Sequence, residues 1–235
     1  MARKILLVED EDAIRKFVKI NLEREGYQVF EAGSGEDGID LAKKEHPEIV
    51  VLDIMLPGID GFEVCRILRQ EFPDLGIIML TAKAEDLDKI MGLQFGSDDY
   101  MTKPFNPTEL SLRIKSLERR LDAKNTKVPQ ASVINHPPFE LDTYARKFYY
   151  QSKEVELTPT EYIIMKLFME NPGKALKREE ILTRVWGNEY LGDSKIVDVN
   201  IRRLRSKIEQ NPAKPRFIET VWGMGYRWFI AEDEQ

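Results

Sequence analysis

Ile49-Val50-Val51-Leu52-Asp53-Ile54-Met55-Leu56-Pro57-Gly58 is the stretch that decides the fold. An unbroken apolar run ends on an aspartate and is followed by a Pro-Gly turn. A short run that is apolar at every position suits a strand covered on both faces, as in a parallel sheet flanked by helices. Similar runs lie on either side of it, at Lys4–Val8, Tyr27–Glu31, Gly76–Leu80 and Asp99–Met101. Stretches of helical period separate and follow them: Glu11–Glu25, Ser34–Glu45, Asp60–Glu71, Ala84–Phe95 and Asn106–Leu121. Ser34 stands three residues before Asp37, and Asn106-Pro107 precedes Glu109, which are helix-start signals. The series predicts an α/β doubly wound (βα)5 parallel sheet of the flavodoxin-like kind. In such a sheet the site lies beyond the carboxyl ends of the strands, which selects Glu9, Asp10, Asp53, Thr81 and Lys103.

This pattern ends near residue 121. Residues 122–132 are polar, aperiodic and contain a proline, and read as a linker. Residues 133–235 change order: strand-like alternation over 133–157, helices over 159–171, 177–185 and 194–209, then a hairpin over 216–230 with Gly223-Met224-Gly225 at its tip. Small sheet, three helices and hairpin predict an α+β winged helix-turn-helix domain. Residues 1–122 hold 17 basic and 25 acidic side chains and residues 123–235 hold 18 and 16, so an acidic first domain precedes a mildly basic one. One cysteine excludes an intramolecular disulfide, and two histidines cannot build a Cys/His zinc site. No apolar run is long enough to span a bilayer, and residues 1–12 lack a signal-peptide core, so a cytoplasmic protein without membrane insertion is expected.

Glu9, Asp10 and Asp53, from two strand ends, crowd one pocket. Like charges so close raise a pKa unless a cation intervenes. Oxygen ligands beside a place for phosphate favour Mg²⁺. Lys103 adds a positive charge and Thr81 a hydroxyl, which together fit a carboxylate nucleophile attacking a phosphoryl group. A lone acid after a strand is usually solvated or capping; five suitable residues at matching strand ends are much rarer.

Leu7-Val8-Glu9-Asp10, Val51–Gly58, Leu80-Thr81-Ala82 and Gly96–Phe105 resemble the receiver of bacterial two-component response regulators. The resemblance implies that Asp53 takes a phosphoryl group from a sensor histidine kinase. Mg²⁺ would be held by Asp10, Asp53 and the Met55 carbonyl, with Glu9 acting through water. Thr81 and Lys103 would bind phosphoryl oxygens, and Tyr100 would be the switch aromatic. Met55 and Lys83, two residues beyond Asp53 and Thr81, border the path of attacking water and are expected to set phosphoryl lifetime. A phosphohydrolase of the haloacid dehalogenase type would need an acid where Met55 stands, so an enzyme is not expected. A DNA-binding regulator that works without phosphate is the remaining alternative.

In the helix from Asn106, Leu110, Ile114, Leu117 and Leu121 form a core stripe, while Glu109, Arg113 and Arg120 share a flank. On spacing alone that flank is a solvated face. Regulators of the OmpR/PhoB type dimerise through the fourth helix, fifth strand and fifth helix. By that resemblance the cross-subunit pairs are Lys89 with Glu109, Asp98 with Arg113, and Asp99 with Arg120.

The stretch Ser194–Glu209 puts Val197, Ile201, Leu204 and Ile208 on its apolar back. Lys195, Val199, Arg202, Arg203 and Ser206 fall on the opposite side, with Arg205 at the border. An arginine-rich front suits the major groove of double-stranded DNA. The segment resembles the OmpR/PhoB effector domain, including Gly223-Met224-Gly225-Tyr226-Arg227. Carried over by position, Arg203 reads a base and Val199 touches a thymine methyl. Lys195, Asn200, Arg202, Arg205, Thr220 and Tyr226 contact the backbone. The loop 186–193 matches the turn that can touch RNA polymerase. Many relatives have arginine where Trp222 stands. Tryptophan lacks that charge, so packing on sugar is expected in place of minor-groove reading. The expected protein is a homodimer when phosphorylated, bound to repeated half-sites.

Overall fold

The protein is described here from a computed structural model, which describes residues 2–82, 95–122 and 133–229. The chain divides into two compact units, Met1–Glu118 and Arg119–Gln235. No helix among the described residues is long and apolar enough to cross a membrane.

The first unit is built on five parallel strands: β1 (Lys4–Val8), β2 (Gln28–Ala32), β3 (Ile49–Asp53), β4 (Gly76–Thr81) and β5 (Asp99–Thr102), in the order β2-β1-β3-β4-β5. Every residue of β3 and β4 is buried, as their continuous apolar composition requires. Helices α1 (Asp12–Arg24), α2 (Gly35–Glu45), α3 (Gly61–Glu71) and α4 (Pro107–Asp122) accompany the sheet. Residues 84–94 of the helix expected over 84–95 lie outside the described residues. Two of the helix starts close as read. Ser34 Oγ accepts from the Asp37 N–H, and Asn106 Oδ1 accepts from the Thr108 N–H. Strand order reverses between β1 and β3, so their carboxyl ends open the crevice where such sheets bind ligands. Gly61 opens α3 directly beneath β3. A Cβ there would stand 2.0 Å from the Asp53 carbonyl oxygen, so only glycine lets the turn after Asp53 fold back so tightly.

The second unit starts with an antiparallel meander of β6 (Val133–His136), β7 (Phe139–Asp142), β8 (Lys147–Tyr150) and β9 (Lys153–Val155). Three helices follow, α5 (Pro159–Met169), α6 (Arg178–Trp186) and α7 (Lys195–Ile208), and then the hairpin β11 (Ile218–Val221) and β12 (Gly225–Trp228). Thr158 and Glu161 close a reciprocal capping box at the start of α5. A three-residue strand, β10 (Ala175–Lys177), pairs antiparallel with β12, so the hairpin is the outer part of a sheet ordered β10-β12-β11. Phe139 joins the meander to that sheet, its ring 4.9 Å from Trp228 and 4.6 Å from Phe217.

Candidate phosphoacceptor and DNA-binding sites

The first site forms where β1 and β3 end side by side. Glu9 and Asp53 are buried, Asp10 is exposed, and one carboxylate oxygen from each falls within 4.8 Å of the others. Lys103, just past β5, reaches across the strand tips, with Nζ 2.6 Å from Glu9 Oε2 and 2.6 Å from Asp53 Oδ2. Its backbone is held there by the Lys103 N–H, which donates to the Thr81 carbonyl at 2.6 Å. The other Asp53 oxygen, Oδ1, accepts from the Met55 N–H at 3.1 Å, and the Met55 side chain points into solvent. Arg15 fixes the loop after β1 by donating to the carbonyls of Glu9 and Asp10.

Burial, and then the charge of Asp53, push the Glu9 carboxyl above its usual range, although Lys103 pulls the other way. Burial works to lower the Lys103 ammonium, but hydrogen bonds to Asp53 and Glu9 outweigh it and leave the group raised. The pocket therefore holds more negative charge than one lysine balances comfortably. Three hard oxygen ligands, one of them open to water, fit a Mg²⁺ that keeps part of its hydration shell. Thr81 is buried at the end of β4, and Tyr100 is buried on β5 opposite Met79.

In the second unit, α7 exposes Lys195 and Arg202 and leaves Asp198, Arg205 and Ser206 half-buried. The hairpin is bonded to this same face. Asp198 Oδ1 accepts from the Tyr226 hydroxyl and from Arg178 Nε, each at 2.7 Å. Arg205 donates to the Ile218 carbonyl and to Thr220 Oγ1. Three residues expected to reach DNA are buried. Val199 and Asn200 are buried, with Asn200 Nδ2 donating to the Ile196 carbonyl, and Arg203 is 4% exposed. The buried sector of α7 is thus wider than the single apolar stripe that spacing shows.

Residues 5–115 match the response regulator receiver domain, and residues 152–228 match the transcriptional regulatory protein C-terminal family. The chain is 42% identical over 234 residues to the alkaline phosphatase synthesis transcriptional regulatory protein PhoP of Bacillus subtilis, covering 97% of each. It is 42% identical over 223 residues to the transcriptional regulatory protein AfsQ1 of Streptomyces coelicolor, covering 95% of this chain and 96% of that one. Among solved structures it is similar to DrrB, a Thermotoga maritima OmpR/PhoB homolog, with a TM-score of 0.51 and 33% identity over 97% of this chain and 100% of the other. The chain belongs to the OmpR/PhoB family of two-component response regulators. It is a transcription factor with a receiver and a DNA-binding domain, and not an enzyme.

In this response regulator the residues assigned to a dimer face have partners within the chain. Arg113 Nη1 donates to Asp99 Oδ1 at 3.0 Å, and Arg113 Nη2 to Glu109 Oε1 at 2.6 Å. Asp98 accepts from Arg69 Nη2 at 2.8 Å and from the Ile77 N–H at 3.0 Å. Arg120, in the second unit, is buried, donates to Thr160 Oγ1 and lies over the Trp186 ring. Lys83 and Lys89 lie outside the described residues. Sequence reasoning missed Arg15, Arg69, Asp198 and Glu209. Glu209 accepts three backbone N–H bonds, from Arg216, Phe217 and Ile218, and its only local signal is a carboxylate at the end of an amphipathic helix.

Proposed function

We propose that Asp53 is the phosphoacceptor of a cytoplasmic, phosphorylation-activated regulator that binds repeated half-sites on double-stranded DNA. The observation carrying this reading is Asp53 itself: buried at a strand end, one oxygen on the Met55 amide, the other on Lys103, with two more carboxylates beside it. An Asp53 oxygen attacks the phosphorus of a sensor histidine kinase's phosphohistidine; the P–O bond forms as the P–N bond breaks. Lys103, 2.6 Å from Asp53 Oδ2, would neutralise a phosphoryl oxygen, and Thr81 would offer a hydroxyl from the adjacent strand end. Asp10, Asp53 and the Met55 carbonyl would hold Mg²⁺, with Glu9 acting through water. Mg²⁺, when bound, supplies positive charge for the phosphoryl oxygens.

Phosphorylation adds about −1.5 to −2 charge at the tip of β3. Thr81 and Tyr100 respond, and the face carrying Asp98, Asp99, Glu109, Arg113 and Arg120 becomes competent to pair with a second copy, with Lys89 joining it. Pairing of this face requires some of the intrachain ion pairs to exchange for intersubunit ones. Two effector domains then engage adjacent half-sites, and the tether raises the effective concentration of the second. Lys195 and Arg202, both exposed on α7, contact the DNA, while Arg205, Thr220 and Tyr226 set the wing against α7. The loop 186–193 is the surface offered to RNA polymerase. Met55 and Lys83 tune phosphoryl lifetime. Incubation with acetyl phosphate and Mg²⁺ should add one phosphoryl mass to the parent and none to Asp53→Asn. Equal labelling of both would overturn the assignment.

A further inference from the structure

Among Glu9, Asp10 and Asp53, only Asp10 is exposed. The two buried acids share the Lys103 ammonium, which holds their side chains directly. Asp10 is held through its backbone. Arg15, in the first turn of α1, donates from Nη1 to the Glu9 carbonyl at 2.6 Å and to the Asp10 carbonyl at 3.2 Å. Those carbonyls lie in the two peptide planes that flank the Asp10 Cα. A planar peptide leaves each residue only φ and ψ to vary. Tying both planes to one nitrogen therefore fixes both angles of Asp10, and with them the direction in which its side chain leaves the backbone. The guanidinium is itself seated. Its Nη2 donates to Asp12 Oδ1, and its side chain is 16% exposed. It lies against the turn after β2, where a Cβ on Gly33 would stand 3.4 Å from Nη1.

We propose that Arg15 is a positioning residue for the metal site, acting through the backbone to aim the Asp10 carboxylate at the place it shares with Glu9 and Asp53. This role rests on the Mg²⁺ reading of the acidic pocket and adds to it a residue that does not ligate the ion. The sign of its effect separates positioning from charge. A positive group near a cation site repels the cation, so on charge alone Arg15→Ala should bind Mg²⁺ more tightly. A brace works the other way, because outer-shell groups that orient ligands typically strengthen metal affinity by about 10–100-fold. Lysine keeps the charge but lacks the planar fork that reaches Asp12 and both carbonyls together.

The test uses the full chain without phosphodonor. Mg²⁺ titration, followed by the amide shift of Met55, should give an affinity about ten-fold weaker for Arg15→Ala than for the parent. Arg15→Lys should be weakened nearly as much, although its charge is intact. In the metal-free proteins, the ¹⁵N order parameters of Asp10 and Glu11 should fall from the ~0.85 of rigid backbone toward ~0.6 in both variants. Tighter Mg²⁺ binding by Arg15→Ala, or parent affinity in Arg15→Lys, would show that Arg15 acts through charge alone and overturn the brace. Unchanged order parameters in the metal-free variants would overturn it as well. A parent that shows no Mg²⁺-dependent shift would overturn the metal reading instead, and the metal-free order parameters would still judge the hold of Arg15 on Asp10.

Discussion

Lys103 Nζ lies 2.6 Å from Asp53 Oδ2 although 50 residues separate the two in sequence. The same ammonium sits 2.6 Å from Glu9 Oε2, so one cation spans two buried carboxylates. Lys103→Met leaves those carboxylates to repel each other, and removing one partner of a buried ion pair costs on the order of 3 kcal/mol. The variant should unfold at lower temperature without Mg²⁺, and Mg²⁺ should raise its midpoint by more than it raises the parent's. Thermal unfolding with and without the ion decides; equal Mg²⁺ shifts would show that Lys103 does not relieve this repulsion.

Arg113 joins α4 to β5 through Asp99, with both groups buried. Arg113→Ala removes one side of that pair and should cost the first unit about 3 kcal/mol. The check is a urea double-mutant cycle with Asp99→Asn. The double variant should lose at least 1 kcal/mol less than the sum of the single losses, as contacting pairs do. Strict additivity would mean that the contact contributes nothing.

The five-strand sheet and its acidic mouth were legible because both depend on local pattern. Ile49–Leu52 is apolar at every position, and Glu9, Asp53, Thr81 and Lys103 each stand just past a strand-like segment. Long-range geometry was not legible. The helical period put Arg113 on the correct flank of α4, but not that Asp99 of β5 meets it there, nor that Arg69 occupies Asp98. The wheel of α7 marked one apolar stripe and left Val199 and Arg203 on the front, whereas tertiary packing buries both, along with Asn200. Ala175–Lys177 is too short to read as a strand, and only its pairing with Arg227, Tyr226 and Gly225 makes it one.

Glu209 collects the backbone N–H groups of Arg216, Phe217 and Ile218 at 2.8, 2.8 and 2.9 Å. It thereby fixes the entry of the chain into β11. Glu209→Ala leaves those donors without their carboxylate, and each buried donor left unmet costs roughly 1–3 kcal/mol. The variant should lose about 3 kcal/mol or more, and amide exchange should quicken first at Phe217 and Ile218. Unchanged protection at those amides would mean that water replaces the carboxylate without loss.

Tyr226 ties the wing to α7 and also makes that tie sensitive to alkali. Burial, and then the hydrogen bond and charge of Asp198, push its hydroxyl up to about 12, while Arg178 pulls the other way. The unfolded chain releases this proton near pH 10. Above that pH the unfolded state binds fewer protons than the folded one, so stability falls as pH rises. The contribution, at most about 2–3 kcal/mol, is fully present below pH ~10 and is lost as pH climbs toward pH ~12. Tyr226→Phe cannot titrate and lacks the hydrogen bond to Asp198. It should be less stable than the parent at pH 8, and the gap should close as pH rises through this window. Urea unfolding of both proteins from pH 8 to pH 12, followed by the fluorescence of buried Trp186 and Trp228 in a Trp222→Phe background, measures that gap. A gap that stays constant across the series would mean that the Tyr226 proton is not held by the fold.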